Sequence, residues 1–252
     1  MNIRNAIKRR LATHTLANDG QDSVLFTFDD GPHPEGTRAV LDVLRRFAAR
    51  AVFFVVGSRV SRAPELLRTI ISEGHALGNH SYAHPLSRQL GLRACRRDIE
   101  QCQALTESLT GVRPTLFRPP LGKLSVASIV APRLAGLRPI MWSVDADDWR
   151  LRQAVEVPAA ADRLLRLLSN RPLHDIVLMH DERVLTAQVL ELVLPRLVER
   201  NVNLRPALPS PRAWRRVLST VTLDALRQPR PGHGERRIPP ARHHASERAR
   251  DL

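Results

Sequence analysis

One pattern constrains this chain more than any other. A short apolar run ends in charged or imidazole-bearing side chains, a longer amphipathic stretch follows, and the pairing repeats. Val24–Phe28, Val52–Val56, Thr115–Phe117, Pro139–Val144 and Asp175–Met179 read as strands, with Val202–Leu204 a candidate for the last. Helices are expected over Thr37–Ala49, Pro64–Ser72, Leu90–Leu109, Ser125–Leu134, Pro158–Leu168 and Thr186–Glu199. The first of these sets Val40, Leu41, Leu44 and Phe47 on one face, as helical periodicity requires. Gly111 supplies the stop for the long third segment. Strands alternating with helices need crossover connections, which make a parallel sheet. The expected class is therefore α/β: about seven parallel strands in a barrel closed or nearly so. An open doubly wound sheet is the alternative.

Charge narrows the partners. The formal net charge is +14 over 252 residues, and it is concentrated at the two ends. Residues 1–20 carry a net +3, residues 211–252 a net +6, and the 190 residues between them only +5. Nearly all the base is arginine, with Lys8 and Lys123 the only lysines. A nucleic-acid surface interleaves basic and aromatic side chains, and no such stripe occurs here, so a nucleic-acid partner is not expected. Three regions follow: a basic extension over 1–20, a folded domain over 21–209, and a basic Pro/Arg-rich tail over 210–252 expected to be largely disordered. Within that tail Trp214–Leu226 is a candidate for one marginal helix.

Cys95 and Cys102 are seven residues apart on an expected helix, a Cα separation of ~10 Å that a disulfide cannot span. They lie on a stripe with Leu92, Ile99, Leu105 and Leu109 that reads as a buried face. Neither a signal-peptide core nor an apolar run of membrane-spanning length is present, so a cytoplasmic protein is expected. The sequence carries no signal for oligomeric state.

The chemistry sits in five short motifs. Thr27-Phe28-Asp29-Asp30-Gly31-Pro32 places adjacent carboxylates where a strand turns into a loop. His80-Ser81-Tyr82-Ala83-His84-Pro85 holds two imidazoles that can share one metal ion if they converge, and an acid such as Asp30 would complete a His₂-carboxylate set with open positions. Arg118-Pro119-Pro120-Leu121-Gly122 is a stiff loop able to fix an arginine against a carboxylate. Trp142 to Trp149 ends in Asp145, Asp147 and Asp148, a crowding of charge that needs a cation or a proton nearby. Ile176-Val177-Leu178-Met179-His180-Asp181 is an apolar strand ending in histidine, a side chain suited to general acid work.

In this order, over roughly residues 20–208, these motifs resemble the polysaccharide deacetylases, the family-4 carbohydrate esterases with the nodulation-deacetylase homology domain. The resemblance implies a distorted (β/α) barrel of about seven parallel strands with its active site at the strand C-terminal ends, and a divalent metal, zinc above all, on Asp30, His80 and His84. It implies Asp29 as general base, Arg118 as its orienting partner and His180 as general acid. Asp148 would keep His180 protonated, with Asp145 as the alternative for that role. The backbone N–H of Leu121 would steady the oxyanion, while Trp149 and Leu178 would line the pocket for the acetyl methyl group. Leu121 departs from the aromatic residue common there, and His33 is a candidate substrate contact. The implied activity is removal of N-acetyl groups from N-acetylglucosamine-containing oligo- or polysaccharides, with the layout closest to the rhizobial chitooligosaccharide enzymes. An O-acetyl xylan esterase and a non-catalytic basic binding protein are the alternatives.

Overall fold

The computed structural model describes residues 12–85, 90–169 and 172–208. The expected basic tail and its Trp214–Leu226 helix lie outside them. Among the described residues seven parallel strands curl into a half-barrel wrapped by helices, a parallel sheet as the alternation predicts and a distorted (β/α) barrel as the resemblance implies. The strands are β1 (Ser23–Asp29), β2 (Ala51–Val55), β3 (Ala76–Asn79), β4 (Leu116–Phe117), β5 (Arg138–Pro139), β6 (Val144–Asp145) and β7 (His174–His180). Their order across the sheet is β5-β4-β3-β2-β1-β7-β6. The helices are α1 (Gly36–Arg46), α2 (Gly57–Val60), α3 (Pro64–Ser72), α4 (Leu92–Thr110), α5 (Val126–Leu134), α6 (Val157–Leu167) and α7 (Val184–Glu199).

Three expectations need correction. β3 was not anticipated: Ala-Leu-Gly-Asn has neither alternation nor β-branched residues, and only its pairing with β2 makes it a strand. The single strand expected over Pro139–Val144 is two short ones, because residues 140–143 cross from one edge of the sheet to the other. Val202–Leu204 forms an isolated bridge between Asn203 and Ser23 rather than a strand.

The core has two sides, set by the two-residue period of the strands. Outward-facing residues such as Val24, Phe26, Phe28, Phe53 and Val177 pack against α1, α6 and α7 in one large apolar layer. Inward-facing Leu25, Val52, Phe54, Leu116, Ile140 and Ile176 fill the barrel interior with Leu16. On this inner side Gly78 is required, since a Cβ there would lie 2.3 Å from Cδ1 of Phe54. α4 buries Cys95, Ile99 and Cys102 as expected, and both thiols are free. Leu92 at its start is exposed, and the buried face includes the polar Gln103 and Thr106. Gly111 ends this helix in the left-handed conformation at φ 71°.

Residues 12–16, assigned from sequence to the basic extension, lie along the seam between the sheet edges. Thr13 bridges Ile140 and Thr15 bridges Asp175, while Ala12 and Leu16 are buried. Among the described residues, no helix is long and apolar enough to cross a membrane.

Candidate metal centre and catalytic site

The candidate side chains lie at the C-terminal ends of the strands or in the loops that follow them. On β1, Leu25, Thr27 and Asp29 share the inner face, and on β7 so do Ile176, Leu178 and His180. Thr27 pairs in register with Leu178, and Asp29 with His180, so base and acid candidates stand side by side above a dry floor. Chain reversals then carry Asp30 (φ 75°), Ser81 (φ 71°) and His84 (φ 52°) in the left-handed region. Such conformations are costly for residues with a Cβ and persist only where the surroundings enforce them.

Asp30, His80 and His84 converge, with their candidate ligand atoms all within 4.8 Å of one another. His80 Nδ1 lies 2.8 Å from the carbonyl oxygen of Arg118. A carbonyl only accepts, so Nδ1 carries the proton. Burial lowers the pKa of His80, against the pull of Asp29 and Asp30, and favours the neutral ring. The Nε2 lone pair therefore faces the carboxylates of Asp29 and Asp30 at 3.6 and 3.7 Å. A lone pair opposed to two anions is repulsive unless a cation lies between them. His84 Nε2 is 3.0 Å from Asp30 Oδ1 but is not aligned to bond it, leaving this buried oxygen without a hydrogen-bond partner among the described residues. Burial opposes the charge of Asp30, yet the adjoining His84 and the fields of His80 and His180 hold its carboxyl below the usual carboxylate range. An orphaned anionic oxygen beside two imidazole nitrogens is a donor set that suits a divalent cation.

Asp29 has different company. Arg118, fully buried, donates from Nη1 to Asp29 Oδ1 at 2.8 Å and to Thr27 Oγ1 at 2.8 Å. Its Nε and Nη2 donate to the carbonyls of Ile140 (3.2 Å) and Met141 (2.9 Å), and its guanidinium lies 4.3 Å above the Phe54 ring. The guanidinium thus has no freedom to turn, and Asp29 Oδ2 is left facing His80 Nε2 in the candidate cation site.

Across the mouth, Asp148 and not Asp145 reaches His180. Asp148 Oδ1 lies 3.0 Å from His180 Nδ1, and its Oδ2 accepts from the His180 N–H (2.8 Å) and Thr186 Oγ1 (2.7 Å). Burial disfavours the imidazolium, but Asp148, with Asp29 and Asp30 behind it, outweighs this and raises the pKa of His180 to about 9. Asp145 instead accepts the N–H of Asp147 at 2.8 Å.

The residues expected to line the acetyl pocket or contact substrate have varied surroundings. Leu178 is buried on β7. Leu121 sits in the turn Pro120–Gly122 at φ 57° with its side chain exposed. Trp149 is partly exposed beneath the Arg150 guanidinium, 4.9 Å from its ring centroid. His33 is exposed, and its Nδ1 accepts the Gly36 N–H at 3.3 Å.

Sequence reasoning missed several supports. Thr27 links Arg118 to Val177 by donating to the carbonyl of Val177 at 2.6 Å. Asp181, buried and raised to about 7 by burial, accepts from Thr37 Oγ1 at 2.5 Å. Its carboxylate occupies the space a Cβ on Gly31 would need, which explains the glycine in the Asp-Asp-Gly-Pro turn. Asp98 on α4 accepts backbone donors of the 80–85 loop. The last residue of a motif and an acid on a helix carry no such signal in sequence.

A polysaccharide deacetylase family model matches residues 17–140. A chitooligosaccharide deacetylase of Azorhizobium caulinodans is 34% identical over 203 residues, covering 74% of this chain and 93% of the relative. The peptidoglycan-N-acetylmuramic acid deacetylase PdaC of Bacillus subtilis is 31% identical over 211 residues, covering 80% of this chain but only 43% of that longer protein. A solved structure of PdaC superposes with a TM-score of 0.67 at 28% identity, covering 82% of this chain and 100% of that one.

Proposed function

The chain belongs to the polysaccharide deacetylase family, and from that membership we propose a metal-dependent hydrolase that removes N-acetyl groups from N-acetylglucosamine-containing oligo- or polysaccharides. One observation carries the reading. The orphaned oxygen of Asp30 and the nitrogens of His80 and His84 meet between an arginine-held carboxylate and a carboxylate-held histidine. This is the division of labour that amide hydrolysis needs.

Asp30, His80 and His84 are the proposed ligands, and their nitrogen and oxygen donors suit zinc. A bound divalent cation supplies Lewis-acid activation of water and of the acetyl carbonyl. Asp29 takes the proton of the attacking water on Oδ2, while Arg118 fixes Oδ1. His180, with Nδ1 directed at Asp148, presents Nε2 to the leaving amine and protonates it as the carbon–nitrogen bond breaks. The Leu121 N–H is the proposed donor to the oxyanion, and Trp149 and Leu178 the proposed walls for the acetyl methyl group.

Chitooligosaccharides are the first choice of substrate, because the Azorhizobium relative named for them is matched over nearly its whole length. The test is mass spectrometry of products from defined chitooligosaccharides, peptidoglycan fragments and acetylated xylan, with zinc added or chelated. Loss of one acetyl mass unit from the chitooligosaccharides, abolished by chelation, is the expected result. Turnover confined to acetylated xylan would make it an O-acetyl esterase instead. No turnover of any of the three would favour a binding protein.

A further inference from the structure

Two of the proposed ligands share one loop, the segment that follows β3. His80 follows β3 directly, but His84 lies four residues further on, beyond two left-handed residues counting itself. A histidine so placed can meet Asp30 only if the backbone between 80 and 84 has one conformation. The structure shows what enforces it.

The loop is tied at nearly every residue. Gly57 and Ser58, at the start of α2, donate their N–H groups to the carbonyls of Ser81 (3.0 Å) and Tyr82 (2.9 Å). Asn79 accepts the Ser81 N–H on Oδ1 at 2.8 Å, and its Nδ2 donates to the carbonyl of Ile99 on α4 at 2.9 Å. Ser81 Oγ accepts the His84 N–H at 3.0 Å. The two remaining donors in mid-loop, Tyr82 N–H and Ala83 N–H, both go to Asp98: Oδ2 takes the first at 3.0 Å and Oδ1 the second at 3.0 Å. Asp98 is the one carboxylate among these ties, and hydrogen bonds to a carboxylate are roughly twice as strong as neutral ones. It stands on α4 beside buried Ile99, so its own position is fixed by the core.

We infer that Asp98 is a positioning residue for the metal site: its carboxylate clamps the Tyr82 and Ala83 N–H groups and so aims His84 at Asp30. This rests on the reading of Asp30, His80 and His84 as the ligands. Nothing in the immediate sequence advertises the role, because Arg96, Arg97 and Glu100 make the segment look like an ordinary solvated helix face. The carboxylate of Asp98 bonds backbone N–H groups and not the proposed ligand side chains. Its effect should therefore appear in metal affinity before it appears in chemistry.

The experiment uses the full chain with Asp98→Ala and Asp98→Asn, alongside His84→Ala as the control. Zinc affinity is read by competition with a chromophoric chelator, and ligand geometry by the visible spectrum of the cobalt(II)-substituted protein. Asp98→Ala should weaken zinc binding by about 10- to 100-fold, the range expected when a group supporting a ligand is removed. It should also broaden or shift the cobalt bands, with much of the turnover restored at saturating zinc. Asp98→Asn keeps one acceptor oxygen and should fall between it and the parent. If Asp98→Ala does not fold, the Asn variant alone decides. Parent-like zinc affinity and cobalt spectrum in the folded Asp98 variants would overturn the inference, even if their thermal stability were reduced. Stoichiometric zinc in His84→Ala would instead overturn the ligand assignment on which it depends.

Discussion

Asp29 and Asp30 are neighbours in sequence and opposites in surroundings. Asp29 Oδ1 is bound by a buried guanidinium, whereas Asp30 Oδ1 is buried without a hydrogen-bond partner among the described residues. That contrast separates the proposed base from the proposed ligand, and it gives two predictions. Asp30→Ala should purify without bound zinc, whereas Asp29→Asn should hold a stoichiometric ion yet lose turnover by about 10²- to 10⁴-fold, the usual worth of a general base. Elemental analysis alongside the deacetylation assay checks both. His180 gives a third. A general acid works only while protonated, so activity should decline as pH rises through the pKa of His180, about 9 in the metal-free protein. A bound cation offsets the Asp29 and Asp30 share, so this limb should sit at or below that value. Asp148→Asn removes the nearest anion and should move it to lower pH, which a kcat–pH profile would reveal. At this scale the motifs were legible because strand ends and chemistry coincide. The choice between Asp145 and Asp148 was not. Both follow the same strand, and only the turn through Asp147 at φ 52° decides which one reaches His180.

Elements were legible in proportion to how much of their stability is local. α1 and β7 announce themselves by periodicity and by apolar runs. β3 does not, because Gly78 is there to admit the Phe54 ring rather than to form a strand. Gly78→Ala should therefore destabilise the fold by ~1–3 kcal/mol, the usual cost of forcing a methyl into a packed interior. Urea denaturation with an unchanged m-value would show this as a lower midpoint. The interruption between β5 and β6 was equally hidden: Ile140–Ser143 reads as a continuation of an apolar run, and the seam exists only once the sheet has curled. Likewise Asp98 reads as solvated until the loop that it binds is folded against α4.

For the molecule as a whole, these charges set a pH window on stability. A histidine whose pKa rises from an ordinary 6.5 to about 9 on folding stabilises the native state fully below about 6.5. That contribution, on the order of 3 kcal/mol at ~1.36 kcal/mol per pKa unit, is lost as pH rises through about 9. The metal-free protein should accordingly show a falling urea midpoint between pH 6.5 and 9.5. In His180→Asn that slope should flatten; an undiminished slope would place the titrating group elsewhere. Asp181, held protonated to about 7 by burial, loses its contribution at lower pH, between its ordinary carboxylate range and neutrality, so the two effects are separable.

The gap in the sheet has one more consequence. A strand running unbroken from β5 to β6 would spend its carbonyls on neighbouring strands. Because the chain departs from that ladder at residues 140–141, the oxygens of Ile140 and Met141 are at liberty to receive Nε and Nη2 of Arg118. A perfectly closed cylinder would offer a buried cation no such seat. The imperfection of the barrel is thus what lets a full positive charge live in its interior, one hydrogen bond from the proposed base.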